Sequence, residues 1–267
     1  MDDRLVALVT GGSSGIGAEA VRAFVARGVR VWEFSRREKT DLPEGVRHCC
    51  VDVTDEDAVR RAVEELVARE GRLDLVVNCA GYGISGAVEF TELSAAKEQF
   101  DVNFFGTVNV NRAALPILRE QKRGRIVNVS SVASPVPIPF QAFYSASKAA
   151  VDSYTCALAN EVRPFGISVT AVRPGDVATG FTDARQKSAA GDDLYGGRIG
   201  RSVAGMERDE RRGLSAASAG RYIVKIALKR RVKPFYTFGA SYKWICALCK
   251  VLPAGVQNRI VGKLYAK

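Results

Sequence analysis

The sequence predicts an α/β fold, a single doubly wound parallel sheet of about seven strands with helices on both faces. Short β-branched runs alternate with amphipathic helical stretches from residue 5 to about residue 172, and strands alternating with helices imply parallel pairing. A glycine-rich turn follows the first run directly and opens a helix. No linker and no repeat beyond the strand–helix rhythm divides the chain. Its 267 residues, 47% hydrophobic and 25% charged, suit one soluble globular domain of this kind.

Residues 5–9 form the first strand, and Thr10-Gly11-Gly12-Ser13-Ser14-Gly15-Ile16-Gly17 is the turn after it. Glycines let the backbone approach a pyrophosphate, and a helix N-terminus supplies free N–H groups and positive dipole. The spacing Gly-x-x-x-Gly-x-Gly differs from the commoner GxGxxG, yet strand–turn–helix is the context a Rossmann-like dinucleotide site requires. Gly11, Ser13, Ser14, Gly15, Ile16 and Gly17 are therefore candidate cofactor contacts. The helix carries Ala20, Val21, Phe24 and Val25 and ends at Gly28. The second strand, 29–34, runs into Ser35-Arg36-Arg37. An acid at this strand end would bond a ribose 2′-hydroxyl and select NAD, whereas arginine accommodates the 2′-phosphate of NADP. No acid is present, so Ser35, Arg36 and Arg37 point to NADP(H), with NAD as the alternative.

Residues 46–53 read as a third strand, 56–69 as an amphipathic helix with Val59, Val63, Leu66 and Val67 inward, and 73–77 as a fourth strand. A long helix carries Phe100, Asn103, Phe104 and Val108. Residues 125–129 make a fifth strand that delivers Ser130-Ser131 to the carboxyl edge of the sheet, where ligands sit in open α/β folds. The following helix, to about residue 163, holds Tyr144 and Lys148 one turn apart on one face. A free tyrosine titrates near ~10, and an ammonium within about 4–6 Å favours the phenolate. The expectation is that Lys148 pulls the Tyr144 pKa down and makes it a general acid/base for an alcohol or ketone. A sixth strand covers 167–172.

Several chemistries lack their residues. His48 is the sole histidine, and a His-dependent hydrolase would have to use it; no nucleophile-elbow pattern exists, and His48 reads as structural at the start of the third strand. Six unevenly spaced cysteines read as reduced thiols. Cys246-x-x-Cys249 has no second pair or neighbouring histidine, so no metal is expected. The N-terminus enters a strand at once without a signal peptide, and no apolar run reaches the ~18 residues of a spanning helix. A cytoplasmic protein is expected.

Taken in order, Gly11/Gly15/Gly17, Asp52, Asn78-Cys79-Ala80-Gly81, Asn103, Ser131, Tyr144/Lys148 and Pro174-Gly175 with Thr179 resemble the short-chain dehydrogenase/reductase family over roughly residues 5 to 180. The resemblance implies hydride transfer between a nicotinamide and an alcohol or ketone. It implies Asp52 and Val53 beside the adenine, Asn78, Cys79, Ala80 and Gly81 along the cofactor, and Lys148 with Tyr144 at the nicotinamide ribose. Pro174, Gly175, Val177 and Thr179 would hold the carboxamide side. Catalysis would fall to Asn103, Ser131, Tyr144 and Lys148, with Asn103 anchoring a water that relays protons to Lys148. Ser131, thirteen residues before Tyr144, matches the family serine better than Ser130. Family members usually read Asn-Asn-Ala-Gly; Cys79 replaces the second Asn and puts a side-chain contact in doubt. A homodimer or homotetramer is the expected assembly.

Residues 132–140, with Pro135, Pro137 and Pro139, form a stiff, almost wholly apolar loop beside the reacting centre, and 83–88 add apolar surface. These walls suit an apolar small-molecule substrate. The run from Asn78 to Glu89 is similar to hydroxysteroid and retinol dehydrogenases, so a hydroxysteroid is favoured, with a retinoid or acyl-chain ketone as alternatives. A non-catalytic NADP-binding scaffold is the other class of reading, and the intact catalytic set counts against it. Residues from about 176 to 214 are a long Gly/Ser/Arg-rich insertion, which the family resemblance implies is a substrate lid within a domain of residues 1–240.

Residues 241–267 are a basic amphipathic extension. From 221 onward there are eleven Lys/Arg and no Asp or Glu, leaving 28 basic against 29 acidic residues before it. The net charge of +10 is therefore C-terminal. Trp244, Ile245, Leu248, Val251 and Leu252, then Val256, Ile260, Val261 and Leu264, mark two short helices split by Pro253, with Arg259, Lys263 and Lys267 on one face. No nucleic-acid motif is present. A peripheral membrane contact, a flap over the substrate site and a subunit interface all remain open.

Overall fold

The computed structural model describes residues 4–38 and 42–266. Strand β1 (Val6–Thr10) is buried along its whole length, and its alternation sends Val6 and Leu8 to one face of the sheet and Ala7 and Val9 to the other. A strand apolar on both sides needs cover on both sides, which parallel sheets obtain from their crossover helices. The remaining strands of the sheet are β2 (Arg30–Ser35), β3 (Val46–Cys50), β4 (Leu75–Asn78), β5 (Gly124–Val129), β6 (Ile167–Pro174) and β7 (Phe235–Phe238). Their order is β7-β6-β5-β4-β1-β2-β3, and every pairing is parallel.

Helices α1 (Gly15–Val25) and α7 (Ala216–Ala227) cover one face, burying Ala20, Phe24, Ile223 and Val224. On the other face lie α2 (Glu56–Glu70), α4 (Gly106–Glu120) and α5 (Ala142–Val162), with Leu66, Leu118, Leu158 and Val162 inward. Each such side chain contributes about 1.5–3 kcal/mol on burial. The Asp55 carboxylate accepts from the Ala58 N–H at 2.9 Å and starts α2, satisfying one of its orphan donors. The chain between β4 and β5 also includes α3 (Leu93–Phe100); α6 (Arg198–Arg211) precedes α7, and α8 (Ala240–Leu248) and α9 (Ala254–Tyr265) end the fold.

A buried amide network ties the middle of the sheet to its helices. Asn78 Nδ2 donates to Asn111 Oδ1 at 2.8 Å and to Asn128 Oδ1 at 2.9 Å. Asn128 Nδ2 donates to the Thr155 hydroxyl at 2.9 Å. Strands β4 and β5 and helices α4 and α5 are thereby pinned just behind the edge that carries the site.

Several element boundaries differ from the sequence reading. Strand β3 stops at Cys50, so Asp52 and Val53 lie in the loop beyond it. His48 lies within β3, its Nδ1 2.5 Å from Glu33 Oε2 on β2. The long helix at Asn103 is two helices, α3 and α4, joined by a π-helical turn over Asp101–Phe105, a feature that often marks functional sites. Residues 176–214 are partly regular, with a helical turn at Phe181–Ala184, all of α6, and two-residue pairings of Ile84–Ser85 with Gln186–Lys187 and Val177–Ala178 with Leu214–Ser215. Lys267, expected on the tail's basic face, lies outside the described residues.

Asn128→Ala removes the acceptor of Asn78 and the donor to Thr155 at a fully buried position. Unsatisfied buried groups cost ~1–3 kcal/mol each, so urea unfolding should show a loss of stability of that order; an unchanged midpoint and slope would remove the network from the account of the fold.

Candidate active site

The carboxyl ends of β1, β2, β4, β5 and β6 open onto one cavity of about 1080 Å³. Its first wall is the glycine-rich turn. Gly11 has φ +64°, and a Cβ at Gly17 would stand 2.3 Å from the Gly11 carbonyl oxygen, so the turn closes only without side chains at these positions. The Thr10 hydroxyl accepts the N–H groups of Cys79 and Ala80, both at 3.2 Å, locking the β1 and β4 ends together. Gly11, Ser13, Ser14, Gly15, Ile16 and Gly17 line the cavity, with the N-terminus of α1 facing it.

Ser35, Arg36 and Arg37 line it at the end of β2, and Asp52 and Val53 beyond β3. Asp52 Oδ1 is held by the Thr54 N–H at 2.9 Å and the Thr54 hydroxyl at 2.8 Å. The Arg36 guanidinium, largely exposed, stands 4.0 Å from Asp52. A glycine cradle at a helix N-terminus with an exposed guanidinium beside it fits an adenine dinucleotide carrying a 2′-phosphate. Cys79, Ala80, Gly81, Pro174, Gly175, Val177 and Thr179 line the rest of the same wall.

Ser131, Tyr144 and Lys148 meet at the centre. Ser131 follows the end of β5 and lines the cavity with Tyr144; its Oγ accepts from the Ala133 N–H at 3.1 Å. Lys148 Nζ donates to the Val129 carbonyl at 2.9 Å and lies 5.9 Å from the centre of the Tyr144 ring. The Tyr144 pKa departs from the expectation. Burial pushes the phenol up to about 12, partly opposed by the neighbouring Ser131 hydroxyl, and burial brings Lys148 down to about 8. Desolvation penalises both charged forms, and it outweighs the attraction that the spacing suggested. Tyr144 therefore stands as a protonated phenol at neutral pH. Burial likewise raises the Cys79 thiol to about 12.

Two expected site residues are placed beside the cavity. The Asn78 side chain is committed to the amide network. The Asn103 side chain accepts from the Tyr82 N–H at 3.0 Å and donates to the Tyr82 carbonyl at 3.0 Å and the Ser147 hydroxyl at 3.1 Å. It thus holds the loop after Gly81 against α5, one residue from Lys148.

Other residues complete the lining, Ile138 among them from the proline-rich loop expected beside the reacting centre. Tyr82, Ile138 and Gln141 line the cavity. Phe181 packs its ring 5.7 Å from that of Tyr144. Glu210, also lining, takes the Thr182 hydroxyl at 2.7 Å and pairs with Arg185, whose side chain is almost fully buried. This clasp secures the 181–211 segment over the tyrosine. Nothing in the run Met206 to Arg212 distinguishes Glu210 from a solvated charge in sequence. Among the described residues no three His, Cys, Asp or Glu side chains gather as a metal site.

The family model for short chain dehydrogenases matches residues 5–190. The chain belongs to the short-chain dehydrogenase family. It is an oxidoreductase fold, and the sevenfold parallel sheet is that of its structural relatives. The chain is 42% identical to a 3-ketodihydrosphingosine reductase of Bacteroides thetaiotaomicron over 251 residues, covering 90% of this chain and 93% of the relative. It is 32% identical to the probable short-chain type dehydrogenase/reductase VdlC of Helicobacter pylori, covering 93% of each. Among solved structures, a short-chain dehydrogenase from Streptomyces avermitilis superposes with a TM-score of 0.84 at 29% identity, covering 99% of this chain and 96% of that one. A Burkholderia cenocepacia short chain dehydrogenase in complex with NADP gives 0.78 at 26% identity, covering 96% and 97%.

Lys148 is an ammonium below about pH 8 and neutral above it. A turnover that uses this charge should decline as pH rises through that value, giving kcat/KM a descending limb there. Lys148→Arg, charged to beyond pH ~12, should lose the limb whatever rate it retains; a limb unmoved in that variant would assign it to another group.

Proposed function

We propose that this chain is an NADP(H)-dependent reductase of an apolar ketone, of the long-chain acyl type exemplified by a 3-keto sphingoid base. The observation that carries the reading is the convergence of Ser131, Tyr144 and Lys148 on one cavity beside the glycine cradle. The acyl-chain ketone stands ahead of the hydroxysteroid because the relative at 42% identity over nearly the whole chain is a 3-ketodihydrosphingosine reductase. The wall of Ile138, Val132 and Phe181 is apolar, and the carboxylates of Asp176, Asp183 and Glu210 beside it are engaged by Tyr242, Arg211 and Arg185. A long alkyl chain suits the apolar part of that wall.

A bound nicotinamide supplies the hydride in reduction and accepts it in oxidation. The Ser131 hydroxyl and the Tyr144 phenol, which line the same cavity, would both bond the carbonyl oxygen as it gains charge. Tyr144, kept protonated by burial, gives its proton to that oxygen, so that a ketone plus hydride plus proton becomes a secondary alcohol. The Lys148 ammonium steadies the phenolate left behind. Asn103 holds the Tyr82 loop and Ser147, and through them the register of Lys148; a water relay through Asn103 belongs to the same proposal. Arg36, with Ser35 and Arg37, would take the 2′-phosphate. The intact set argues for turnover over a binding-only scaffold.

The test is oxidation of NADPH against 3-keto sphingoid bases, long-chain neutral ketones, retinoids and hydroxysteroid ketones. A steroid turned over in preference to every acyl ketone would replace the substrate reading. Tyr144→Phe should lower kcat by ~10²–10⁴-fold, the usual worth of a placed acid, with NADPH binding retained; a rate within tenfold of wild type would require another acid. Arg36→Ala should weaken NADPH binding well beyond NADH binding in a fluorescence titration, and equal losses would end the 2′-phosphate assignment.

A further inference from the structure

Helices α8 and α9 are built with two unlike faces, both apolar. One face docks on the domain. Tyr242 donates to Asp176 Oδ2 at 2.5 Å, and its ring lies so close over Gly175 that a Cβ there would meet it at 2.0 Å. Cys246, one turn on, is buried, and Val261 does the same for α9. Gln257 Nε2 donates to the carbonyls of Cys249 and Leu252, both at 2.7 Å, stapling the two helices into one hairpin. Arg198 Nε donates to the Ala266 carbonyl at 2.8 Å and fastens its end to α6. The hairpin is thus a fixed part of the molecule, attached at the turn that floors the cavity.

The opposite face should be polar if it met only water. Instead Trp244 is 79% exposed, Val251 76%, Leu264 66% and Leu248 52%, with Val256 and Ile260 at 44% each. Trp244 and Leu248 follow at i and i+4 in α8, with Val251 in the turn just after it, and Val256, Ile260 and Leu264 at i, i+4 and i+8 in α9, so each helix presents one stripe. Lys243, Lys250, Arg259 and Lys263 flank the stripes, are exposed, and make no ion pair among the described residues. A contiguous apolar surface ringed by cations marks an interaction site. Two copies meeting through it would bring like charges together with no acid after residue 220 to offset them. An anionic lipid leaflet matches both properties, since cations gain from its surface potential and an amphipathic helix with an aromatic residue seats at the headgroup boundary.

We propose that the outer face of the α8–α9 hairpin rests on anionic membrane surfaces as a peripheral anchor. No helix among the described residues is long and apolar enough to cross a bilayer, so the contact lies in the interface plane. The proposal is independent of the substrate reading, because its test needs no substrate.

The full chain is floated with phosphatidylcholine vesicles with and without phosphatidylglycerol, at low and raised salt. Binding to the anionic vesicles alone, weakened by salt, is expected. Trp32 is buried at 2% exposure and Trp244 is the other tryptophan, so a blue shift of emission on binding reports Trp244. Trp244→Ser/Leu248→Ser/Ile260→Ser and Lys243→Gln/Lys250→Gln/Arg259→Gln alter only exposed side chains; each should cut vesicle binding about tenfold or more while circular dichroism and sedimentation stay as in wild type. Failure of the full chain to float with anionic vesicles overturns the proposal, as does floating unaffected by either variant. An oligomer that dissociates in the apolar variant overturns it in favour of a subunit contact.

Discussion

Because all seven strands run parallel, their carboxyl ends share one edge, and the strand-borne groups of the candidate site hang from that edge. The turn after β1, the arginines after β2, Asp52 after β3, Cys79 to Gly81 after β4, Ser131 after β5 and Pro174-Gly175 at the end of β6 meet there although up to 164 residues separate them in the chain. Such an edge is precise only if the strands cannot slide. The Asn78–Asn111–Asn128–Thr155 amides fix β4 and β5 against α4 and α5 just behind the site, and the Thr10 hydroxyl joins β1 to β4 at the edge itself. An apolar core of similar volume would fill the space without choosing a register; amides choose one, because each donor has its acceptor in one alignment alone.

Helix α5 then meets that edge with a lysine taken out of water. Lys148 keeps one hydrogen bond, to the last carbonyl of β5, and its reduced pKa of about 8 measures how little solvation remains. Tyr144 shares the enclosure and stays a phenol for the same reason. On the proposed function, a proton donor at neutral pH beside a cation of lowered pKa would be the pair that passes a proton toward a reduced carbonyl. The clasp of Arg185, Glu210 and Thr182 belongs to this arrangement, since it holds the segment that sets Phe181 against the tyrosine ring.

The C-terminal hairpin extends the same logic outward. Tyr242 bonds Asp176, a residue that lines the cavity, so the last two helices are joined to the site's floor. Their charge was plain in the composition, and their attachment was not. The edge strand β7 was also hidden. Phe-Tyr-Thr-Phe at 235–238 is four residues long and half-buried throughout, without the alternation that would separate it from a loop, and only its pairing with β6 identifies it.

By itself the sequence determined the layered α/β architecture, six strands of the sheet, the glycine cradle and the Ser131, Tyr144 and Lys148 set. Those features are written in local period, in backbone freedom and in short spacings, which depend on neighbours within a few residues. Tertiary structure alone decided the protonation of Tyr144, because burial is a sum over many distant groups and i,i+4 geometry is only one part of it. It also decided that Asn78 and Asn103 spend their side chains on positioning, that Glu210 and Phe181 reach the cavity from a segment with no motif, and that the apolar stripes of the tail face outward. Each of these follows from which chain segments come to lie together, and a one-dimensional pattern carries no term for that.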